Sequence, residues 1–142
     1  MIGAFLASAT LLALFPLHPT LGATLPAGSP WQSFVLEIIL TFFLMTVIMN
    51  VSTGSKEIGV MAGIAIGATV LLEAMFAGPI TGASMNPARS IAPAVVSGKL
   101  THFWVYISAP LLGASLAILS CIGVKEKECC PMPSVFCKTP SR

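Results

Sequence analysis

The stretch that decides the fold is Thr81-Gly82-Ala83-Ser84-Met85-Asn86-Pro87-Ala88-Arg89-Ser90. It stands in a chain of 142 residues that is 56% hydrophobic and only 8% charged. Soluble domains carry about 25% charged residues, so this composition favours a membrane protein. Polar and basic residues are unfavourable at membrane depth and mark functional sites there. This run is therefore predicted to carry the function.

A short helix is predicted to follow the first half of the run. Pro87 suits the first turn of a helix and Gly98 suits the position just past its end, which predicts a helix over 87–97. At about 1.5 Å per residue this helix is ~16 Å long, which is half of a ~30 Å hydrocarbon core. The helix therefore enters the membrane without crossing it. Non-helical backbone beside it must be buried in protein or line a watery cavity.

Apolar stretches surround this re-entrant half-helix. We predict spans over 34–51, over 57–77, where Gly78-Pro79 ends the helix, and over 103–124. Residues 1–17 are apolar but short, and we interpret them as a truncated transmembrane helix followed by a loop over 18–32. The span over 57–77 carries a stripe of glycines at four-residue spacing: Gly59, Gly63 and Gly67. Such a stripe predicts that another helix approaches closely. The predicted fold class is an all-α membrane protein.

Basic residues indicate the orientation. Lys56 and the polar tail 125–142 fall on one side of the membrane, and only Lys99 lies in a loop on the other. The positive-inside rule then predicts a cytosolic C-terminus. Three of the four cysteines lie in the tail: Cys129, Cys130 and Cys137. We interpret them as reduced thiols, with palmitoylation beside the tail lysines as the alternative.

Asn86 and Arg89 supply the polar chemistry of the motif. Asn86 is a good N-cap, because its side-chain oxygen can accept a backbone N–H of the half-helix and leave its NH₂ group free to donate. The helix start carries about half a positive elementary charge. Arg89, one turn further on, adds a permanent charge and several donors. Aimed into a pore, this end would repel cations and offer hydrogen bonds to a neutral solute.

The residues around the motif bear on its backbone conformation and on the role of Arg89, which could line a pore or form an ion pair. Residues 82–84 are small and are expected to run extended with their carbonyl groups exposed. Arg89 could instead form an ordinary buried ion pair with Glu37 or Glu73. Glu73 stands near the end of its span and is expected to reach toward the membrane interface.

Several classes of function are disfavoured. A net charge of +2 without a basic and aromatic patch gives no support for nucleic-acid binding. Because no nucleophile–base pair, metal-ligand cluster or phosphate loop is recognisable, we predict neither an enzyme nor a bound cofactor. His18 and His102 lie near membrane boundaries, where they are either ordinary interfacial histidines or parts of a pH gate.

The motif and its flanks resemble the aquaporin (major intrinsic protein) family. The resemblance extends to Glu37 in the preceding span and to five residues of the last span: Trp104, Tyr106, Pro110, Gly113 and Ala114. The lead-in over 78–85 is most similar to the nodulin-like intrinsic proteins of plants (the NIP subfamily). The resemblance implies a helical bundle of six spans and two half-helices, built as an inverted repeat. Residues 33–124 resemble the whole second repeat and 1–17 most of the third span, so we expect this chain to lack the first two spans and the first half-helix.

The resemblance also implies roles for single residues. Asn86, Pro87 and Ala88 match the start of the second half-helix, which faces the pore. A selectivity filter is implied at Ala74, Ala83 and Arg89, where alanine in place of histidine at position 74 would suit solutes wider than water. Glu37 is implied as a buried structural acid that holds backbone N–H groups of the motif.

The implied function is a channel for passive passage of small uncharged solutes across the lipid bilayer: water, glycerol, boric acid or a similar metalloid hydroxide. The resemblance implies a tetramer in the plasma membrane, with the endoplasmic reticulum as the other compartment considered. Two alternatives are open. One is a non-conducting fragment that associates with full-length aquaporins; the other is part of a secondary transporter, with Glu73 as coupling carboxylate.

Overall fold

Five helices make up the part of the chain that the structure describes. The computed structural model describes residues 1–52 and 56–124, and the side chains of all of these except residues 56–60. The helices are α1 (Ile2–Leu14), α2 (Pro30–Ser52), α3 (Lys56–Thr81), α4 (Pro87–Ser97) and α5 (Phe103–Val124). No strand occurs within these residues, so the predicted all-α fold class is confirmed.

Three of the helices are long and apolar enough to cross a membrane. These are α2 over its full length, α3 over Met61–Thr81, and α5 over its full length. α1 is apolar but has only 13 residues, about 20 Å of helix, which is shorter than a ~30 Å hydrocarbon core. The chain is therefore an integral membrane protein with several spans.

The end of α3 differs from the sequence prediction. We predicted a stop at Gly78-Pro79, but the helix continues through the proline to Thr81. Pro79 removes only its own N–H from the helix, and the ladder resumes where the Gly82 N–H donates to the Gly78 carbonyl at 2.9 Å. The Thr81 hydroxyl also donates to Glu37 at 2.8 Å, which fixes this last turn against α2.

α2 and α5 pack at backbone distance. A Cβ added to Gly113 of α5 would lie 2.5 Å from the Ile38 carbonyl oxygen of α2, so only glycine fits. Toward one end of the same pair, Trp31 and Phe34 of α2 pack against Trp104 of α5 with ring centroids 5.6 Å and 5.3 Å apart. This helix pair forms the frame against which the motif is held.

The half-helix α4 lies against α1 and α5. Its inward side is made of small residues that are buried: Ser90, Ala92, Pro93 and Ala94. Ser8 is the buried residue of α1. Small side chains let the backbones approach, and these contacts bury the middle of α4 in protein.

One face of α3 has no partner in the described part of the chain. A Cβ added to Gly63 or Gly67 would meet no heavy atom within 4 Å, and both residues are exposed. Gly59 belongs to the same predicted stripe, but its surroundings and the tail 125–142, including the tail cysteines, lie outside the described residues.

Candidate functional site

The backbone between α3 and α4 is curled rather than extended. Gly82, Ala83 and Met85 all have positive φ values, +84°, +42° and +51°. The predicted extended run is therefore wrong. A left-handed conformation costs about 1–2 kcal/mol at each non-glycine residue, so outside contacts must hold this loop. Gly82 is favoured for a second reason, because an added Cβ would make a tight contact of 3.1 Å with the side chain of Thr24.

Glu37 provides those contacts. Its side chain is fully buried, and one carboxylate oxygen accepts from the Thr81 hydroxyl and the Ser84 N–H, both at 2.8 Å. The other oxygen accepts from the Met85 N–H at 2.9 Å. The curled backbone turns two successive N–H groups toward one carboxylate, which an extended chain cannot do. Glu37 thereby offsets the strain of the loop.

Tyr106 of α5 binds the same loop, which Glu37 of α2 also binds. Its side chain is fully buried and its hydroxyl donates to the Thr81 carbonyl at 2.7 Å. Thr81 is thus bonded through its hydroxyl to α2 and through its carbonyl to α5. The turn that leads into the motif is fixed on both sides.

Asn86 caps the half-helix. It has extended backbone (φ −151°, ψ 112°), and its side-chain oxygen accepts the Ala88 N–H at 2.9 Å. Pro87 occupies the first position of α4, where a missing N–H leaves nothing unsatisfied. The side-chain NH₂ of Asn86 has no hydrogen bond within the described residues and stays available to a ligand.

Asn86 and Arg89 line one cavity. The cavity has a volume of about 440 Å³ and lies between α1, the loop after it, and the start of α4. Arg89 is exposed to this space and donates through Nη1 to the Gly22 carbonyl at 3.4 Å. The positive end of α4, an arginine and an amide NH₂ therefore face the same volume. Among the side chains that the structure describes, no carboxylate accepts a hydrogen bond from Arg89, because the oxygens of Glu37 accept from the motif loop instead.

The two alanines implied as filter residues lie elsewhere. Ala83 is buried in a cluster with Leu40, Ala77 and Met85, so its side chain packs into the core. Ala74 is exposed on α3. Neither of them lines the 440 Å³ cavity with Asn86 and Arg89. The structure thus joins two of the predicted site residues and separates the other two from them.

Glu73 is buried, contrary to the expectation that it reaches the interface. Only 5% of its side chain is exposed, and neither carboxylate oxygen has a hydrogen-bond partner. The cause is its position on α3: Glu73, Ala77 and Thr81 follow at four-residue spacing, and this face packs toward α2. The carboxyl group is therefore turned inward, and α3 continues for about two turns beyond it.

A set of buried hydroxyls was missed by the sequence analysis. The Thr24 hydroxyl is hydrogen-bonded to the Ser90 hydroxyl at 2.7 Å, and Ser90 is also bonded to the hydroxyl of Ser84. Ser84 in turn donates to the Asn86 carbonyl at 3.0 Å. Ser90 and Ser84 belong to the motif and could have been suspected, but nothing in the sequence around Thr24 signals a bond 66 residues away.

The sequence of the chain is similar to those of known proteins. The family model of the major intrinsic proteins matches residues 1–120. The chain is 55% identical to Aquaporin NIP1-1 of Zea mays over 115 residues, which covers 80% of this chain and 41% of that protein. It is 54% identical to Aquaporin NIP1-1 of Oryza sativa subsp. japonica over 115 residues, 80% of this chain and 40% of the relative. It is 50% identical to Nodulin-26 of Glycine max over 115 residues, 80% of this chain and 42% of the relative. The chain thus spans about two fifths of the length of these relatives.

Proposed function

The chain belongs to the major intrinsic protein family, with relatives in the plant NIP subfamily, and on that premise we propose that it contributes the second half of a passive channel for small uncharged solutes. The solutes we propose are water, glycerol, boric acid or a similar metalloid hydroxide. One observation carries the proposal: Asn86 and Arg89 face a common cavity at the positive end of a half-helix.

The chemistry of this cavity suits neutral hydrogen-bonding solutes. Among the described residues, the Asn86 NH₂ and the guanidinium of Arg89 donate to no carboxylate, so a hydroxyl or carbonyl oxygen of a solute can accept from both. The remaining lining is mostly apolar and small, and includes Ala4, Ala7 and Pro93. A cation would meet the permanent charge of Arg89 and the half-charge of the helix end, which oppose its entry.

Swelling of proteoliposomes tests the proposal. Vesicles that contain the 142-residue chain should swell faster than empty vesicles in glycerol or boric acid and should keep an imposed proton gradient. Arg89→Ala should admit protons, because it removes the permanent charge from the cavity. Lys99→Ala is the matched control, since Lys99 is an exposed basic residue outside the cavity. Swelling no faster than that of empty vesicles would refute conduction by this chain.

Association with longer members of the family is the second candidate. The observation that favours it is the exposed glycine face of α3, where Gly63 and Gly67 meet nothing within 4 Å. Co-expression with soybean Nodulin-26 and copurification in mild detergent tests it. Gly63→Val with Gly67→Val should abolish copurification, whereas Gly123→Val, at another open glycine, should not. Equal recovery of both variants would refute this candidate.

Location, orientation and assembly are proposed along with the channel. We propose a tetramer in the plasma membrane or endoplasmic reticulum with the C-terminus in the cytosol, which is supported by the basic tail residues. An epitope placed after Arg142 should be reached by antibody only after the plasma membrane is permeabilised. Labelling of intact cells would contradict this orientation.

A further inference from the structure

The turn after α1 is held by a histidine side chain. The Nδ1 atom of His18 accepts the Leu21 N–H at 3.0 Å and the Thr20 N–H at 3.4 Å. Leu21 and Gly22 both have positive φ, +49° and +82°. A left-handed leucine is unfavourable by itself, so the two hydrogen bonds to the imidazole stabilise a strained turn. No other side chain donates to or accepts from this turn except Arg89, among the residues that the structure describes.

The turn over residues 18–22 places a backbone carbonyl group against Arg89, which lines the 440 Å³ cavity. The Gly22 carbonyl accepts from Arg89 Nη1 at 3.4 Å. Leu21 and Gly22 also form part of the wall of two cavities: the 440 Å³ cavity of Asn86 and Arg89, and a second one of about 400 Å³ that His18 lines. The conformation of the turn therefore determines where the guanidinium is held.

We infer that His18 is a positioning residue for Arg89, a role that rests on the proposed channel function. When Nδ1 is unprotonated, the imidazole accepts the N–H groups of the turn and stabilises it. The Gly22 carbonyl then accepts from the guanidinium and keeps it at the wall of the 440 Å³ cavity. A proton on Nδ1 turns the acceptor into a donor that faces two N–H groups. The turn then opens, Arg89 loses its carbonyl partner and moves across the cavity, and conduction falls.

None of the neighbouring side chains described around His18 would change its charge over this pH range and so produce the same response. From α1, Leu11 lines its cavity, and from the segment after α1 Phe15, Leu21 and Gly22 do; none of these side chains titrates. From α4, the charged group that reaches the turn is Arg89, which stays protonated at all relevant pH values. Imidazole is the side chain whose ordinary titration falls between about pH 5 and pH 8.

Substitutions at position 18 distinguish the loss of the hydrogen-bond acceptor from the loss of a group that can be protonated. His18→Asn keeps an acceptor at the δ position but does not titrate, and His18→Ala removes the acceptor. His102→Asn is the matched control, because His102 is the other histidine and is exposed in the turn before α5. Glycerol-driven swelling of proteoliposomes is compared at about pH 7.5 and about pH 5.5.

The expected pattern differs for each variant. The wild-type chain should lose roughly fivefold in swelling rate on acidification, which corresponds to about one hydrogen bond. His18→Asn should stay fast at both pH values, His18→Ala should be slow at both, and His102→Asn should behave as wild type. A pH response that survives in His18→Asn would overturn the inference, as would wild-type rates in His18→Ala.

A second measurement keeps this inference separate from the channel proposal. If the wild-type chain does not swell at either pH, conduction by this chain is refuted, and NMR of the labelled chain in micelles tests His18 alone. The Gly22 carbonyl and Arg89 guanidinium resonances should then shift with the titration of His18 in the wild type and stay constant in His18→Asn. Identical titration curves in both chains would overturn the role of His18.

Discussion

Replacing Glu37 by glutamine should loosen the loop that carries the motif, although the two side chains have nearly the same shape. The carboxylate accepts three hydrogen bonds, from the Thr81 hydroxyl and the N–H groups of Ser84 and Met85. The amide oxygen of glutamine can keep the first two. Its NH₂ group would face the Met85 N–H, donor against donor. One bond to a charged acceptor is lost, so the free energy of unfolding should fall by about 1.5–3 kcal/mol.

Glu37→Leu sets the upper limit of this effect. Leucine leaves the buried N–H groups of Ser84 and Met85 without an acceptor, at about 1–3 kcal/mol each. The Thr81 hydroxyl adds little, because it already has a second acceptor in the Ala77 carbonyl at 3.4 Å. The sum is a loss of about 2–6 kcal/mol. Leucine should therefore be more harmful than glutamine, although it suits an apolar interior better.

Tryptophan fluorescence during unfolding in sodium dodecyl sulfate measures these losses. The chain has two tryptophans, Trp31 of α2 and Trp104 of α5, and their ring contact reports the association of the helices that frame the loop. Glu73→Gln is the matched control, since Glu73 is also a buried glutamate but its oxygens have no partner to lose. It should leave stability unchanged or raise it. Equal destabilisation by the two glutamine variants, or none at Glu37, would refute the role assigned to the Glu37 carboxylate.

Four further substitutions test other contacts. Gly113→Ala should separate α5 from α2 and lower the unfolding free energy by about 1–3 kcal/mol in the same detergent titration, because the added Cβ would meet a carbonyl oxygen at 2.5 Å. Gly67→Ala, where the Cβ meets nothing, should be neutral or slightly stabilising, and a loss equal to that of Gly113→Ala would contradict the explanation. Tyr106→Phe should lose about 1 kcal/mol with its bond to the Thr81 carbonyl, and unchanged stability would argue against that bond. Asn86→Ala should lose about 1 kcal/mol of helix capping, seen as faster amide hydrogen exchange in the first turn of α4; equal exchange rates would contradict the cap.

Local signals made part of the site predictable. Both ends of α4 are determined within a few residues: Asn86 and Pro87 make its start, and Gly98, with φ +70°, makes its end. Capping and left-handed stops depend on residue type at one position, so sequence alone indicates them. The apolar spans were predictable for a similar reason, because length and hydropathy suffice in a bilayer.

Features that depend on distant partners were not predictable. The turn signal of Gly78-Pro79 is real, but Glu37, 44 residues before Thr81, fixes one more turn of helix. The curled loop needs the same carboxylate before left-handed alanine and methionine become favourable. Glu73 points inward because its face of α3 packs against α2. The faces of α3 differ too little in hydrophobicity for the sequence to indicate which of them does so. In each case the missing information was a neighbour far away along the chain.

The hydrogen bonds around the motif also imply an order of events during synthesis. The chain leaves the ribosome from its N-terminus. Gly22, Thr24 and Glu37, which bind the motif, are therefore made before it, and Tyr106 is made after it. The half-helix can dock onto a surface that already exists as soon as it emerges, and α5 then closes over it. The re-entrant segment thus need not wait unprotected in lipid, and a pause in translation between α4 and α5 would leave it bound on one side only.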